Sequence, residues 1–219
     1  MLVVFDFDGT LADTSALFRQ AFNDAARELN VSPYRLEDEA HIRTLEATDV
    51  LRFHGVGPRV AAEFVGLLRK GMEARREEAR LFSGISDVLL HLVQEGQCLA
   101  LLSSNSPSLI QTSLGELTMH FAIQWFDVSL REKASALRKV SGAKSSQVCF
   151  IGDEIRDASA ATEADVPFGA VCWGYNSEAA LRKAGAFEIL HHPSDIERFV
   201  RNLSTAPRQD GRSRNADVF

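Results

Sequence analysis

At 219 residues the chain is long enough for one well-filled core, or for one core and a smaller lobe. A hydrophobic content of 45% with 25% charged residues is ordinary for a soluble globular protein, and no apolar run approaches the roughly 20 residues that span a bilayer. A formal net charge of −6 argues against a broad nucleic-acid or anionic-membrane surface.

The first residues, MLVVFDFDGT, lack a basic start, an apolar stretch and a small-residue cleavage site, so no signal peptide is expected and a cytoplasmic location follows. The run LVVFDF (2–7) predicts a strand that ends among two acids, Asp6 and Asp8. Side chains two apart on a strand point the same way, so both carboxylates converge where the strand gives out at Gly9. Like charges held that close repel unless a proton or a cation sits between them.

Helical patterning follows. Leu17, Phe18, Ala21, Phe22, Ala25 and Leu29 recur at helix spacing, and Pro58 opens a second pattern that runs to about Arg80. The interval before the next strand far exceeds a simple crossover of about a dozen residues. Residues 14–82 are therefore expected to form a separate helical lobe, with 1–13 and 83–203 as an α/β core. The RREEAR segment reads as a solvated helix face.

Four more apolar runs predict strands: CLALLS (98–103), IQWFDV (123–128), VCFIGD (148–153) and GAVCWG (169–174). Their nearly continuous hydrophobicity suits parallel strands buried on both faces. Between them, Ser86 is placed to cap DVLLHLVQE, Ser106-Pro107 to start a helix through Leu117, and further helices to run over 132–140 and 155–164. This alternation gives a doubly wound, Rossmann-like parallel sheet. Cys98, Cys149 and Cys172 lie in or beside these strands without metal-ligand or disulfide spacing and read as small core residues. Residues 204–219 are polar and aperiodic, as in a disordered tail.

In open α/β sheets, sites form at the carboxyl ends of the strands. Those ends carry Asp6 and Asp8, then Ser103, Ser104 and Asn105, then Lys133, then Asp153 with Glu154 and Asp157. Each group alone is weak. All four in this order, each at a strand end, are a strong signal.

The series DFDGT, LLSSN, a lysine and GDEIRD resembles the haloacid dehalogenase (HAD) superfamily of aspartate-nucleophile phosphotransferases, over most of the chain from Asp6 to Asp157. A helical insert after the first motif matches members with a cap, and the chain is most similar to phosphoglycolate-phosphatase-like hydrolases, an impression strengthened by VCWGYNS. The resemblance implies a phosphatase acting on a small phosphorylated metabolite. Asp6 would be the nucleophile that becomes an aspartyl-phosphate, and Asp8 the general acid/base. Mg²⁺ would be held by Asp6, the backbone carbonyl of Asp8 and Asp153, with Asp157 acting on it through water.

Ser103 would bind the phosphoryl oxygens, in preference to Ser104 because it directly follows the apolar run, with Asn105 beside it. Lys133 would balance charge on nucleophile and phosphate, with Arg131 and Lys139 as fallbacks because the usual Lys-Pro pair is missing. Glu154 stands where many relatives carry a neutral residue, and DASAATEADV lacks the glycine often found before the next strand. Substrate selection is expected from the cap, where Arg43, Arg52 and His41 are candidates and Arg43 the first choice. A sugar phosphomutase, a metal-free dehalogenase and a non-catalytic binding module remain as alternative readings. No nucleic-acid or membrane partner is expected, and the chain is expected to be a monomer or a homodimer.

Overall fold

The computed structural model describes residues 1–128, 132–141 and 147–205. In chain order the strands are β1 (Leu2–Phe5), β2 (Ala12–Asp13), β3 (Arg80–Leu81), β4 (Cys98–Leu102), β5 (Phe121–Trp125), β6 (Val148–Gly152), β7 (Phe168–Val171) and β8 (Glu188–Leu190). The α-helices are α1 (Ser15–Glu28), α2 (Glu39–Ile42), α3 (Ala47–Phe53), α4 (Ala61–Ala74), α5 (Ile85–Gln94), α6 (Pro107–Leu114), α7 (Lys133–Ser141), α8 (Ile155–Ala164), α9 (Glu178–Lys183) and α10 (Ser194–Thr205). Six strands form one sheet in the order β5-β4-β1-β6-β7-β8, and every pairing in it is parallel. β2 and β3 make a separate two-stranded antiparallel ladder at the two ends of the helical insert.

The period of two along each strand divides the core. Val3, Phe5, Leu99, Leu101, Cys149 and Ile151 face one layer, with α5, α6 and α10 packed on it. Val4, Ala100, Leu102, Val148 and Phe150 face the other, against α7, α8 and α9. Both faces are covered, which is why these strands read as unbroken apolar runs. The insert has its own cluster, in which Phe22 of α1 meets Phe64 of α4 at a ring separation of 4.8 Å.

Element ends differ from the sequence expectation for local reasons. The last predicted strand stops at Val171 because residues 172–176 turn away; the backbone N–H of Tyr175 is then spent on Asp153 rather than on a ladder. α5 begins two residues earlier than expected, capped by Gly84 in the left-handed conformation (φ 87°) instead of by Ser86. α6 starts as expected, with the Ser106 hydroxyl accepting from the Leu109 amide, but gives way to a 3₁₀ turn after Leu114. Asp165 takes the left-handed turn after α8 (φ 54°), the place where no glycine is available.

Two readings are corrected. Of the three cysteines only Cys149 is a core residue: Cys98 is exposed at the opening of β4, and Cys172 is half-buried just past β7. Ser204 and Thr205 belong to α10, where their hydroxyls donate to the carbonyls of Val200 and Arg201, and the rest of the expected tail, 206–219, lies outside the described residues.

Candidate active site

The carboxyl edge of the sheet brings β1, β4 and β6 side by side. Asp6 follows β1 and continues its ladder by donating its backbone N–H to the Ile151 carbonyl (2.9 Å). Lys133, the first residue of α7, reaches in with its ammonium over the Phe150 ring, 5.6 Å from the ring centre. Its ammonium lies 2.9 Å from Asp6 Oδ2 and 2.5 Å from Asp157 Oδ1, and all three side chains are almost fully buried. The contact to Asp6 is an ion pair without hydrogen-bond alignment, so Asp6 Oδ2 has no hydrogen-bond donor among the described residues.

Asp157 is fixed from the other side. Its Oδ2 accepts the backbone N–H groups of Asp153 (3.3 Å) and Glu154 (3.2 Å), while Glu154 caps the same helix reciprocally. Glu154 also pairs with Arg156 at 2.5 Å. Asp153 accepts the Thr10 hydroxyl on Oδ1 and the Tyr175 N–H on Oδ2, both at 2.7 Å. That packing demands glycine nearby: a Cβ on Gly9 (φ 69°) would stand 2.2 Å from Asp153 Oδ2, and one on Gly174 2.3 Å from it.

Asp8 is held separately. Asn105 donates its amide to both carboxylate oxygens (2.8 and 2.7 Å), and the Thr14 hydroxyl donates to Oδ1 at 2.7 Å. Ser103 is buried, and its Oγ accepts the Asn105 N–H at 3.1 Å, which leaves the hydroxyl proton free to donate. Ser104 is half-buried and lines the chamber above.

Burial dominates the electrostatics. It pushes the Asp6 carboxyl up to about 7, against the pull of Lys133 and with the push of Asp157. Burial also raises Asp8, over the opposing Thr14 hydrogen bond, and raises Asp153 well above the usual carboxylate range, with Glu154 and Asp6 adding to it. For Lys133 burial pulls down, but Asp157 and Asp6 outweigh it and hold the ammonium above its ordinary value.

Carboxylate oxygens of Asp6, Asp153 and Asp157 all lie within 4.8 Å of one another. An all-oxygen donor set, excess buried negative charge and the orphaned Asp6 Oδ2 fit a hard divalent cation. The side chain of Asp8 is turned to Asn105 and Thr14 and is outside this trio.

Above Asp8 lies a chamber of about 170 Å³ between the sheet edge and the helical insert. Its walls are largely apolar, including Phe18, Ile42, Val50, Leu68 and Met72, and Arg69 of α4 also lines it. Arg43 does not; it lines a neighbouring cleft with Arg19 and Glu39. Its carbonyl accepts from Asn176 Nδ2 (3.0 Å) and the Ser177 N–H (2.8 Å), tying the insert to the core. Arg52 is exposed and paired with Asp49, and His41 is exposed beside Phe53. Lys139 is exposed, and Arg131 lies outside the described residues.

Thr10, Thr14, Tyr175 and Asn176 serve the site without having been singled out in the sequence. Thr10 sits in DFDGT and the last two in VCWGYNS, so the motifs contained them, but their contacts reach across as many as 163 residues.

The family model described as haloacid dehalogenase-like hydrolase matches residues 3–171. The phosphoglycolate phosphatase of Synechococcus elongatus is 29% identical, over 92% of this chain and 97% of its own. That of Caulobacter vibrioides is 27% identical, over 93% and 92%. Among solved structures, a predicted phosphatase from Clostridium acetobutylicum superposes with a TM-score of 0.78 at 20% identity, over 92% of this chain and 98% of its own.

Proposed function

Because the chain belongs to the haloacid dehalogenase-like hydrolase family, we propose that it is a phosphatase that hydrolyses a small phosphomonoester through a covalent intermediate on Asp6. The observation that carries this reading is the buried Asp6 carboxylate, ion-paired at 2.9 Å with Lys133 and neighboured by a second aspartate held in a different environment.

In the first step an Asp6 oxygen bonds to phosphorus as the ester P–O bond breaks. Asp8, whose carboxyl burial shifts toward the protonated form, gives its proton to the departing alkoxide. In the second step Asp8, now a carboxylate, takes a proton from water as the water oxygen attacks the aspartyl-phosphate and frees Asp6. Ser103 donates its hydroxyl to a phosphoryl oxygen, and Lys133 offsets the charge shared by Asp6 and the phosphoryl group. Asp157 is a positioning residue for Lys133. Asp6 and Asp153 would hold Mg²⁺, which when bound neutralises charge between the nucleophile and the phosphate dianion.

The helical insert serves as the cap over this centre. Arg69 has no hydrogen-bond or ion-pair partner among the described residues, whereas Arg156, which also lines the chamber, is paired with Glu154, so Arg69 is suited to a negative group at the far end of the substrate. The curated relatives make 2-phosphoglycolate, whose carboxylate is such a group, the first natural substrate to assay.

The test is hydrolysis of p-nitrophenyl phosphate in Mg²⁺ and after exhaustive chelation. Turnover that is lost with EDTA and restored by Mg²⁺, but poorly by the larger Ca²⁺, is expected. Full activity without metal would favour the dehalogenase chemistry, and no turnover of any phosphomonoester would leave a binding module.

A further inference from the structure

A second group of potential metal ligands lies on the same carboxyl edge, beyond the centre built around Asp6. Cys172 follows β7, His191 follows β8, and Glu178 opens α9. Cys172 Sγ is 3.3 Å from His191 Nδ1, and His191 Nδ1 is 3.8 Å from Glu178 Oε2; all three ligand atoms fall within 4.8 Å of one another. We propose that Cys172, Glu178 and His191 form a binding site for a thiophilic divalent cation of the zinc type, separate from the aspartate cluster.

The spacing fits. With zinc–sulfur and zinc–nitrogen bonds of about 2.3 and 2.0 Å, tetrahedral angles separate sulfur and nitrogen by about 3.5 Å. The donor chemistry fits as well: one thiolate, one imidazole and one carboxylate suit zinc, whereas magnesium prefers oxygen alone. Three protein ligands leave a fourth position for water, and the half-exposed His191 leaves a way in.

Each ligand is supported from behind. The Cys172 N–H donates to the Leu190 carbonyl at 3.0 Å, which locks the ends of β7 and β8 together. Backbone N–H groups of His191 and His192 donate to Asp195 Oδ2 at 2.9 and 3.0 Å, fixing the turn that carries the imidazole. Arg182 engages Oε1 of Glu178 at 2.7 Å, which leaves Oε2 directed at the imidazole. Such backing orients ligands before a metal arrives.

The position also gives the site a consequence. Cys172 and Glu178 bracket the loop that places the Tyr175 N–H on Asp153 and Asn176 on the carbonyls of Arg43 and Leu45. A cation joining the two ends of that loop clamps the strap between the aspartate cluster and the helical insert.

Cobalt(II) is the probe, added to the reduced full chain in excess Mg²⁺ so that the carboxylate cluster is occupied. A thiolate-to-cobalt charge-transfer band in the near ultraviolet, bleached by Zn²⁺, is expected for the wild type and for Cys98→Ser. It should vanish in Cys172→Ser, and His191→Ala, at an exposed position, should weaken binding by at least about tenfold. Absence of the band in the wild type, its survival in Cys172→Ser, or unchanged affinity in His191→Ala overturns the assignment. The readout does not pass through turnover, so it stands or falls separately from the proposed phosphatase.

Discussion

The side-chain amide of Asn105 donates to both carboxylate oxygens of Asp8, joining the end of β4 to the end of β1 across 97 residues of sequence. With the Thr14 hydroxyl on Oδ1, it holds this carboxylate apart from the Asp6–Lys133–Asp157 ion-pair cluster. Two acids two residues apart therefore occupy two different environments, the condition for one to attack while the other moves protons.

Asn105→Ala should lower kcat about 10- to 100-fold through loss of orientation at the proposed acid/base, with KM changed by no more than about threefold. Steady-state kinetics on p-nitrophenyl phosphate reads both. A large rise in KM with kcat preserved would mean that Asn105 binds substrate instead.

Asp6→Asn should remove turnover, by at least about 10⁴-fold, while the protein remains folded. Thermal unfolding supplies a second readout. The folded state holds the Asp6 carboxyl up to about 7 from 3.8, so its charge opposes folding most above about 7 and progressively less as pH falls toward 3.8. Without Mg²⁺, the asparagine variant should be at least as stable as wild type at pH 8, with any advantage shrinking by pH 5.

His54 provides a pH dependence outside the site. It is buried among Phe22 and Tyr34, with Nε2 lacking a partner among the described residues, and burial holds its pKa below the ordinary 6.5. The unfolded chain takes up this proton first as pH falls, so stability is fully present above about 6.5 and drains below it. His54→Phe, which keeps a ring in the cluster, should flatten part of the Tm decline between pH 7 and 5. An identical Tm profile would assign the decline to other groups.

Arg69→Ala should raise KM for 2-phosphoglycolate by about tenfold or more and leave p-nitrophenyl phosphate little affected, since only the former carries a distal carboxylate. Arg43→Ala should change both substrates little, because the insert is tied to the core through the Arg43 carbonyl, which the substitution retains. Selective loss in Arg43→Ala and none in Arg69→Ala would return the specificity role to the neighbouring cleft.

The central strands were legible because burial on both faces leaves an apolar run that no helix of that length would need, as in VVF and VCFI. β8 was not: three residues, Glu188–Leu190, are too few to show a period. Nor was the β2–β3 ladder, which exists only because Ala12 meets Leu81 and Asp13 meets Arg80. At the site, charged side chains at strand ends announced themselves, and Asp6, Lys133, Asp153 and Asp157 do come together. The Tyr175 contact to Asp153 and the Arg43 contact to Asn176 Nδ2 pass through a backbone N–H and a backbone C=O, which every residue possesses and which therefore leave no mark on composition.

β1 occupies the middle of the sheet, with Leu2 opposite Cys98 on one side and Val148 on the other. During synthesis it leaves the ribosome well before β4 and β6, its two neighbours in the sheet. Until β6 has emerged, Val3, Val4 and Phe5 have an open edge, while the helical insert between β2 and β3 can already close its own cluster around Phe22 and Phe64. Assembly of the sheet consequently waits on contacts distant in sequence, and the segment bearing the proposed nucleophile is the one most dependent on protection while the rest is being made.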